Sequence, residues 1–129
     1  MDLYAEIILD HYQNPHHHGR LERATLSGRD SNPLCGDQIQ LDLQTDREGT
    51  IIDVGFTGQG CAISQASASM LTDELMGKSL FDAAQMMNED VYRMLGVPLS
   101  TARVKCALLA LVTLKKTITL DKLQNYGRA

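Results

Sequence analysis

Four side chains in this sequence have the chemistry of a soft-metal site. Cys35, Cys61 and Cys106 are its three cysteines, and Asp37 follows the first of them with one glycine between. Thiolates favour zinc and iron–sulfur iron, whereas a carboxylate is a harder ligand that binds such metals less firmly. Three thiolates and one carboxylate make a four-coordinate set for zinc or for an iron–sulfur cluster. A set with one hard member should hold its contents loosely, which suits transfer better than storage. A plainer reading stands beside this one. Free cysteines are often buried as small apolar side chains, and the wide gaps between these three match none of the close pairs of zinc fingers. Gly36, Gly58 and Gly60 flank Cys35 and Cys61. A core cysteine has no need of such neighbours, and they remove bulk where a metal or a partner's loop would approach.

The elements that must position these groups can be read from periodicity. Leu3, Ile7, Ile8 and Tyr12 recur at helical spacing, so residues 2–12 form an amphipathic helix that Asn14-Pro15 ends. Ala24 to Arg29 is a weak strand. Ile39, Leu41 and Leu43 alternate with polar residues, which marks a half-buried strand. Asp46-Arg47-Glu48-Gly49 is a turn, and Ile51, Ile52, Val54 and Phe56 form the next strand of an antiparallel hairpin. Ala62 to Met76 is helical, with Gly77 as its stop. Ser79 caps a short helix through Met86, and Asn88 another through Leu95. After Gly96-Val97-Pro98, Ser100 or Thr101 opens a last helix to about Thr117, with Ala107, Leu111, Leu114 and Ile118 on one face. Strands followed by helices predict an α+β fold in a single domain, residues 1–129.

On this plan each cysteine falls where an element begins or ends, and such ends gather at one edge of a small sheet. Cys61 would start a helix, where unpaired N–H groups favour a thiolate. Arg103 and Lys105 place cations beside Cys106, with the same expected effect. The other candidates have weaker support. His16-His17-His18, between Asn-Pro and Gly, reads as a solvated loop rather than a metal tract, and His11 as a packing or hydrogen-bonding residue. The methionines read as core filler. Ser64, Ser67 and Ser69 lack the context of a nucleophile triad.

The chain carries 12 Lys+Arg against 16 Asp+Glu, a formal charge of −4, which argues against nucleic-acid binding. Its longest apolar run, Cys106 to Val112, is far short of the roughly 20 residues a membrane helix needs. The N-terminus lacks the basic region of a signal peptide, and the odd number of cysteines fits a disulfide framework poorly. A cytoplasmic location is expected.

Four ordered motifs carry a resemblance that spans nearly the whole chain. They are Tyr4…Asp10-His11-Tyr12-Gln13-Asn14-Pro15…Gly19, Asn32-Pro33-Leu34-Cys35-Gly36-Asp37, Gly58-Gln59-Gly60-Cys61-Ala62-Ile63-Ser64-Gln65-Ala66-Ser67-Ala68-Ser69-Met70, and Arg103-Val104-Lys105-Cys106. They resemble the IscU/SufU/NifU N-terminal family of iron–sulfur cluster assembly scaffold proteins. The resemblance implies a SufE/NifU-like fold of three antiparallel strands with helices on one face. It implies a metal site at Cys35, Asp37, Cys61 and Cys106 for a transient [2Fe–2S] cluster, with Cys106 as sulfur acceptor. The implied partners are a pyridoxal-phosphate-dependent cysteine desulfurase and recipient apo iron–sulfur proteins. Tyr4 matches a tyrosine associated with a homodimer of cluster-bearing forms.

The chain departs from the family's branches in two directions. Lys105 stands where IscU-type members have histidine, and Pro98 to Arg103 replaces their Leu-Pro-Pro-Val-Lys motif for an Hsp70-type chaperone. Lys105 and Arg103 resemble the SufU branch instead, whereas the interval between Cys61 and Cys106 has the IscU length. Two functions stay open. One is a non-enzymatic scaffold, and the other is a zinc-dependent sulfur carrier that activates a desulfurase as a sulfurtransferase.

Overall fold

A computed structural model describes residues 3–33 and 36–126. Its elements run α1 (Leu3–Gln13), β1 (Leu26–Asn32), β2 (Asp37–Thr45), β3 (Ile51–Gln59), α2 (Ala62–Leu75), α3 (Leu80–Ala84), α4 (Asn88–Leu95) and α5 (Thr101–Tyr126). The strands form one antiparallel sheet in the order β1-β2-β3. This is the predicted α+β architecture. The alternation along β2 works as read: Ile39, Leu41 and Leu43 are almost wholly buried. They share a core with Val54 and Phe56 of β3, Leu71 of α2, and Leu111, Leu114 and Ile118 of α5.

Two elements differ from their predicted extents. The first strand begins and ends later than Ala24–Arg29 because its sequence, LSGRDSN, has little strand propensity of its own. Its limits are those of its pairing, from Leu26 opposite Leu43 to Asn32 opposite Asp37. The last helix does not stop near Thr117. Thr113 and Thr117 are buried, and their hydroxyls donate to the carbonyls of Leu109 (2.8 Å) and Thr113 (2.7 Å). These hydroxyls are thus satisfied inside the helix, which continues to Tyr126. At α4 the helix begins one residue earlier in its capping than read: the Asp90 carboxylate accepts the N–H of Met87 at 2.7 Å. Ser79 does cap α3, accepting from the Asp82 N–H at 3.0 Å.

The segment after α1 pairs along the free edge of β3, with His18 bridged to Phe56, and then crosses onto the sheet face away from the helices. Its Gly19 N–H donates to Phe56 O at 2.7 Å, and Phe56 N–H donates to His17 O at 3.0 Å. Asp42 of β2 points to this face and is fully buried. Its carboxylate accepts from Arg20 Nε (2.7 Å), Leu21 N–H (3.0 Å) and Ser27 Oγ (2.6 Å). Burial raises the Asp42 pKa, but the bonds from Arg20, Ser27 and Leu21 and the Arg20 charge outweigh it and hold the carboxyl below its ordinary range. A carboxylate with a depressed folded pKa stabilises the fold above its unfolded pKa, near 3.9, and loses that contribution as pH falls through the folded value. Asp42→Ala leaves Ser27 and Leu21 N–H without this acceptor, so urea unfolding at pH 7 should show a loss of about 1–3 kcal/mol. The variant's deficit should shrink below about pH 4.

Candidate metal centre

The hairpin itself brings two of the predicted ligands together. Its turn lies at residues 46–50, so the start of β2 and the end of β3 share the opposite end, where Gln38 pairs with Gln59. Asp37 therefore sits beside the chain as it leaves β3 through Gly60 and enters α2 at Cys61. The Cys61 N–H donates to Asp37 Oδ1 at 3.0 Å, and the Cys61 thiol faces Asp37 Oδ2 at 4.0 Å. Helix α5 brings the third. Its second turn carries Cys106, whose Sγ lies 3.8 Å from Ala102 O. One residue on, Ala107 O accepts the buried Ser67 hydroxyl of α2 at 2.6 Å, which ties the two cysteine-bearing helices together.

One donor atom from each of Asp37, Cys61 and Cys106 lies within 4.8 Å of the other two. Tetrahedral zinc, with bonds of about 2.0–2.3 Å, needs ligand atoms roughly 3.5 Å apart, so only a small contraction is required. Asp37 and Cys106 are 1% and 4% exposed, while Cys61 is half-buried. The donors thus face one partly sheltered point with a thiol at its open side. Two thiols and a carboxylate are the donor types that fit zinc or cluster iron. Cys35, the fourth predicted ligand, lies outside the described residues. Arg103 and Lys105 are exposed beside the buried Cys106. Tyr4 stands elsewhere: it is on α1, 47% exposed, with its ring against Gly96 at the end of α4.

Two of the flanking glycines make room for the protein's own atoms. A Cβ on Gly60 would collide with the Asp37 carboxylate and the Ser64 hydroxyl, and one on Gly58 with Gln38 O, whereas one on Gly36 would meet nothing within 4 Å. Gly60 also has φ +153°, a backbone rarely taken by other residues. Ser64 lacks the sequence context of a nucleophile. It instead buttresses the junction, donating to Cys61 O at 3.1 Å and accepting from Gln65 Nε2 at 3.3 Å. Its place three residues into α2 was the one signal for this role.

A three-stranded sheet backed by helices, with thiols and a carboxylate converging at the junction of sheet and helix, defines an α+β protein with a candidate metal centre. Residues 3–125 match the model of the NifU-like N terminal domain, and the chain belongs to that family. The iron-sulfur cluster assembly scaffold protein IscU of Streptococcus pyogenes serotype M1 is 37% identical to it over 133 aligned positions, covering 90% of this chain and 82% of the relative. The zinc-dependent sulfurtransferase SufU of Bacillus subtilis is 35% identical over 138 positions, covering 93% and 92%. That alignment is longer than this chain of 129 residues, so the Bacillus protein carries residues with no counterpart here. A crystal structure described as a putative iron-sulfur cluster assembly scaffold protein for the SUF system, from Fervidobacterium islandicum, superposes with a TM-score of 0.75. It is 32% identical and covers 88% of this chain and 94% of that one. No helix among the described residues is long and apolar enough to cross a membrane.

Proposed function

We propose that this protein is an iron–sulfur cluster assembly scaffold. The observation that carries the proposal is the convergence of Asp37, Cys61 and Cys106 within 4.8 Å in a chain of this family. The Cys106 thiolate attacks the outer sulfur of a persulfide on a pyridoxal-phosphate-dependent cysteine desulfurase. A new S–S bond forms on Cys106, the desulfurase S–S bond breaks, and its thiolate leaves. Iron is held by Cys35, Cys61 and Asp37. Each sulfane sulfur takes two electrons from an external reductant to become sulfide, and the cargo is a transient [2Fe–2S] cluster. The cluster leaves for a recipient apo protein when the hard carboxylate gives way to a recipient thiolate. The exposed α1 face with Tyr4 is available for a homodimer of the loaded form.

A zinc-dependent sulfur carrier is the second reading, supported by the similarity to the Bacillus SufU protein and by Lys105 beside Cys106. One experiment separates the two. The protein is mixed anaerobically with a desulfurase, sulfur-labelled cysteine, a reductant and ferrous iron. The scaffold reading expects visible charge-transfer bands that disappear in Cys61→Ser, and label on Cys106 that disappears in Cys106→Ser. Faster desulfurase turnover with zinc retained and no colour would replace it with the carrier.

A further inference from the structure

The histidines read above as loop and packing residues meet at a second place. His11 closes α1, His16 and His17 follow Pro15, and Asp73 lies near the end of α2. One donor atom from each of His11, His16 and Asp73 lies within 4.8 Å of the other two. His16 Nδ1 is 2.7 Å from Asp73 Oδ2, and the His11 and His16 rings stack tilted with centroids 4.4 Å apart. We propose that His11, His16 and Asp73 form a second metal site, for a divalent transition ion of the zinc class.

Three features go beyond a chance surface cluster. The first is the donor set. Two imidazoles and one carboxylate suit zinc, iron, cobalt or nickel, and exclude the soft thiolate-only guests. The second is the set of groups that hold those donors. His11 Nδ1 is 2.7 Å from Ser69 Oγ, which also accepts the His16 backbone N–H at 2.7 Å. His17 Nε2 lies 3.1 Å from Asp73 Oδ1, the oxygen that His16 leaves open. The His11 ring and the Asp73 carboxylate are thus each oriented by a group outside the set, as metal-binding histidines and carboxylates are, and His16 is held through its backbone N–H. The third is the backbone. His17 has φ +55°, the one positive φ of a non-glycine among the described residues. Such a conformation is strained and persists where its surroundings hold it. Here the surroundings are the His17 O and Gly19 N–H bonds to Phe56 of β3. They aim His16 and His17 at one carboxylate.

This site and the thiol centre are separate. Asp73 stands twelve residues beyond Cys61 on α2, which at 1.5 Å per residue is about 18 Å along the helix. The side chains of His16 and Asp73 are 46% and 42% exposed, so an ion can enter from solvent.

Cobalt(II) is the probe, because sulfur ligation adds intense near-ultraviolet charge transfer that imidazole and carboxylate ligation lacks. Tag-free reduced protein is titrated anaerobically, alongside His16→Ala and Asp73→Asn. Two bound equivalents are expected, only one of them with sulfur charge transfer. Each variant should weaken the other equivalent by at least about tenfold and leave the sulfur band intact. One equivalent with the sulfur band in the unmodified protein overturns the second site, as does a second equivalent unchanged in both variants. One equivalent without the sulfur band, lost in His16→Ala, would support this site and sink the thiolate centre instead.

Discussion

Asp37→Ala is expected to bind a cluster longer and hand it on more slowly than the unmodified protein. On the proposed reading Asp37 would be the single hard ligand of the set, the one whose departure would open iron to an incoming thiolate. Its carboxylate lies 4.0 Å from the Cys61 thiol and accepts the Cys61 N–H at 3.0 Å, beside the donor with which it would share the metal. Alanine removes that leaving group. Changes even in the outer contacts of metal sites move affinity or activity about 10–100-fold, so transfer should slow by at least tenfold. The fold should tolerate the change. A carboxylate that is 1% exposed is costly to bury, and its removal offsets the loss of an acceptor for the Cys61 N–H. The measurement is the rate of cluster transfer to an apo ferredoxin, followed by circular dichroism, with thermal melting as the control. A transfer rate within twofold of the parent would remove Asp37 from its assigned role.

The second large effect belongs to a residue with no side chain. Gly60→Ala should weaken zinc binding at the thiol centre by about 10–100-fold, the range that loss of ligand positioning produces. The added methyl would occupy the volume of the Asp37 carboxylate and the Ser64 hydroxyl. The backbone at φ +153° adds a conformational cost of about 1–3 kcal/mol. The carboxylate must swing away or the Cys61 loop must shift, and either parts the donors. Competition against a chromophoric chelator measures the affinity. A Gly49→Ala variant supplies the comparison, because a Cβ there meets nothing within 4 Å although its φ is +83°, and it lies in the turn at the far end of the hairpin. It should therefore cost stability with much less effect on the metal. Equal zinc affinity in Gly60→Ala and the parent would show that carboxylate placement does not set the site.

Much of this was legible from local pattern. The period of two from Ile39 to Leu43, the apolar face from Ala107 to Ile118 and the breaks at Pro15 and Gly77 each report a nearest-neighbour preference, and each produced the element expected. The limits of the polar strand Leu26–Asn32 were not legible, because they are set by pairing with β2, far along the chain. The donor types at Asp37, Cys61 and Cys106 were also plain from residue chemistry, and the four motifs carried the family resemblance.

What sequence alone determined, then, is the kinds of atom on offer and the short-range geometry of the segments that bear them. The tertiary structure decided which of those atoms share a point in space. Antiparallel pairing of β2 with β3 puts Asp37 beside Cys61, and the packing of α5 on α2 and the sheet, which includes the Ser67 bond, brings Cys106 to them. It gave Gly60 the task of admitting a carboxylate, and it turned a histidine run read as solvated loop into a cluster around Asp73. The reason is physical: a side chain's preferences act over a few residues, whereas convergence is set by strand register and helix packing, which sum weak contacts over the whole core.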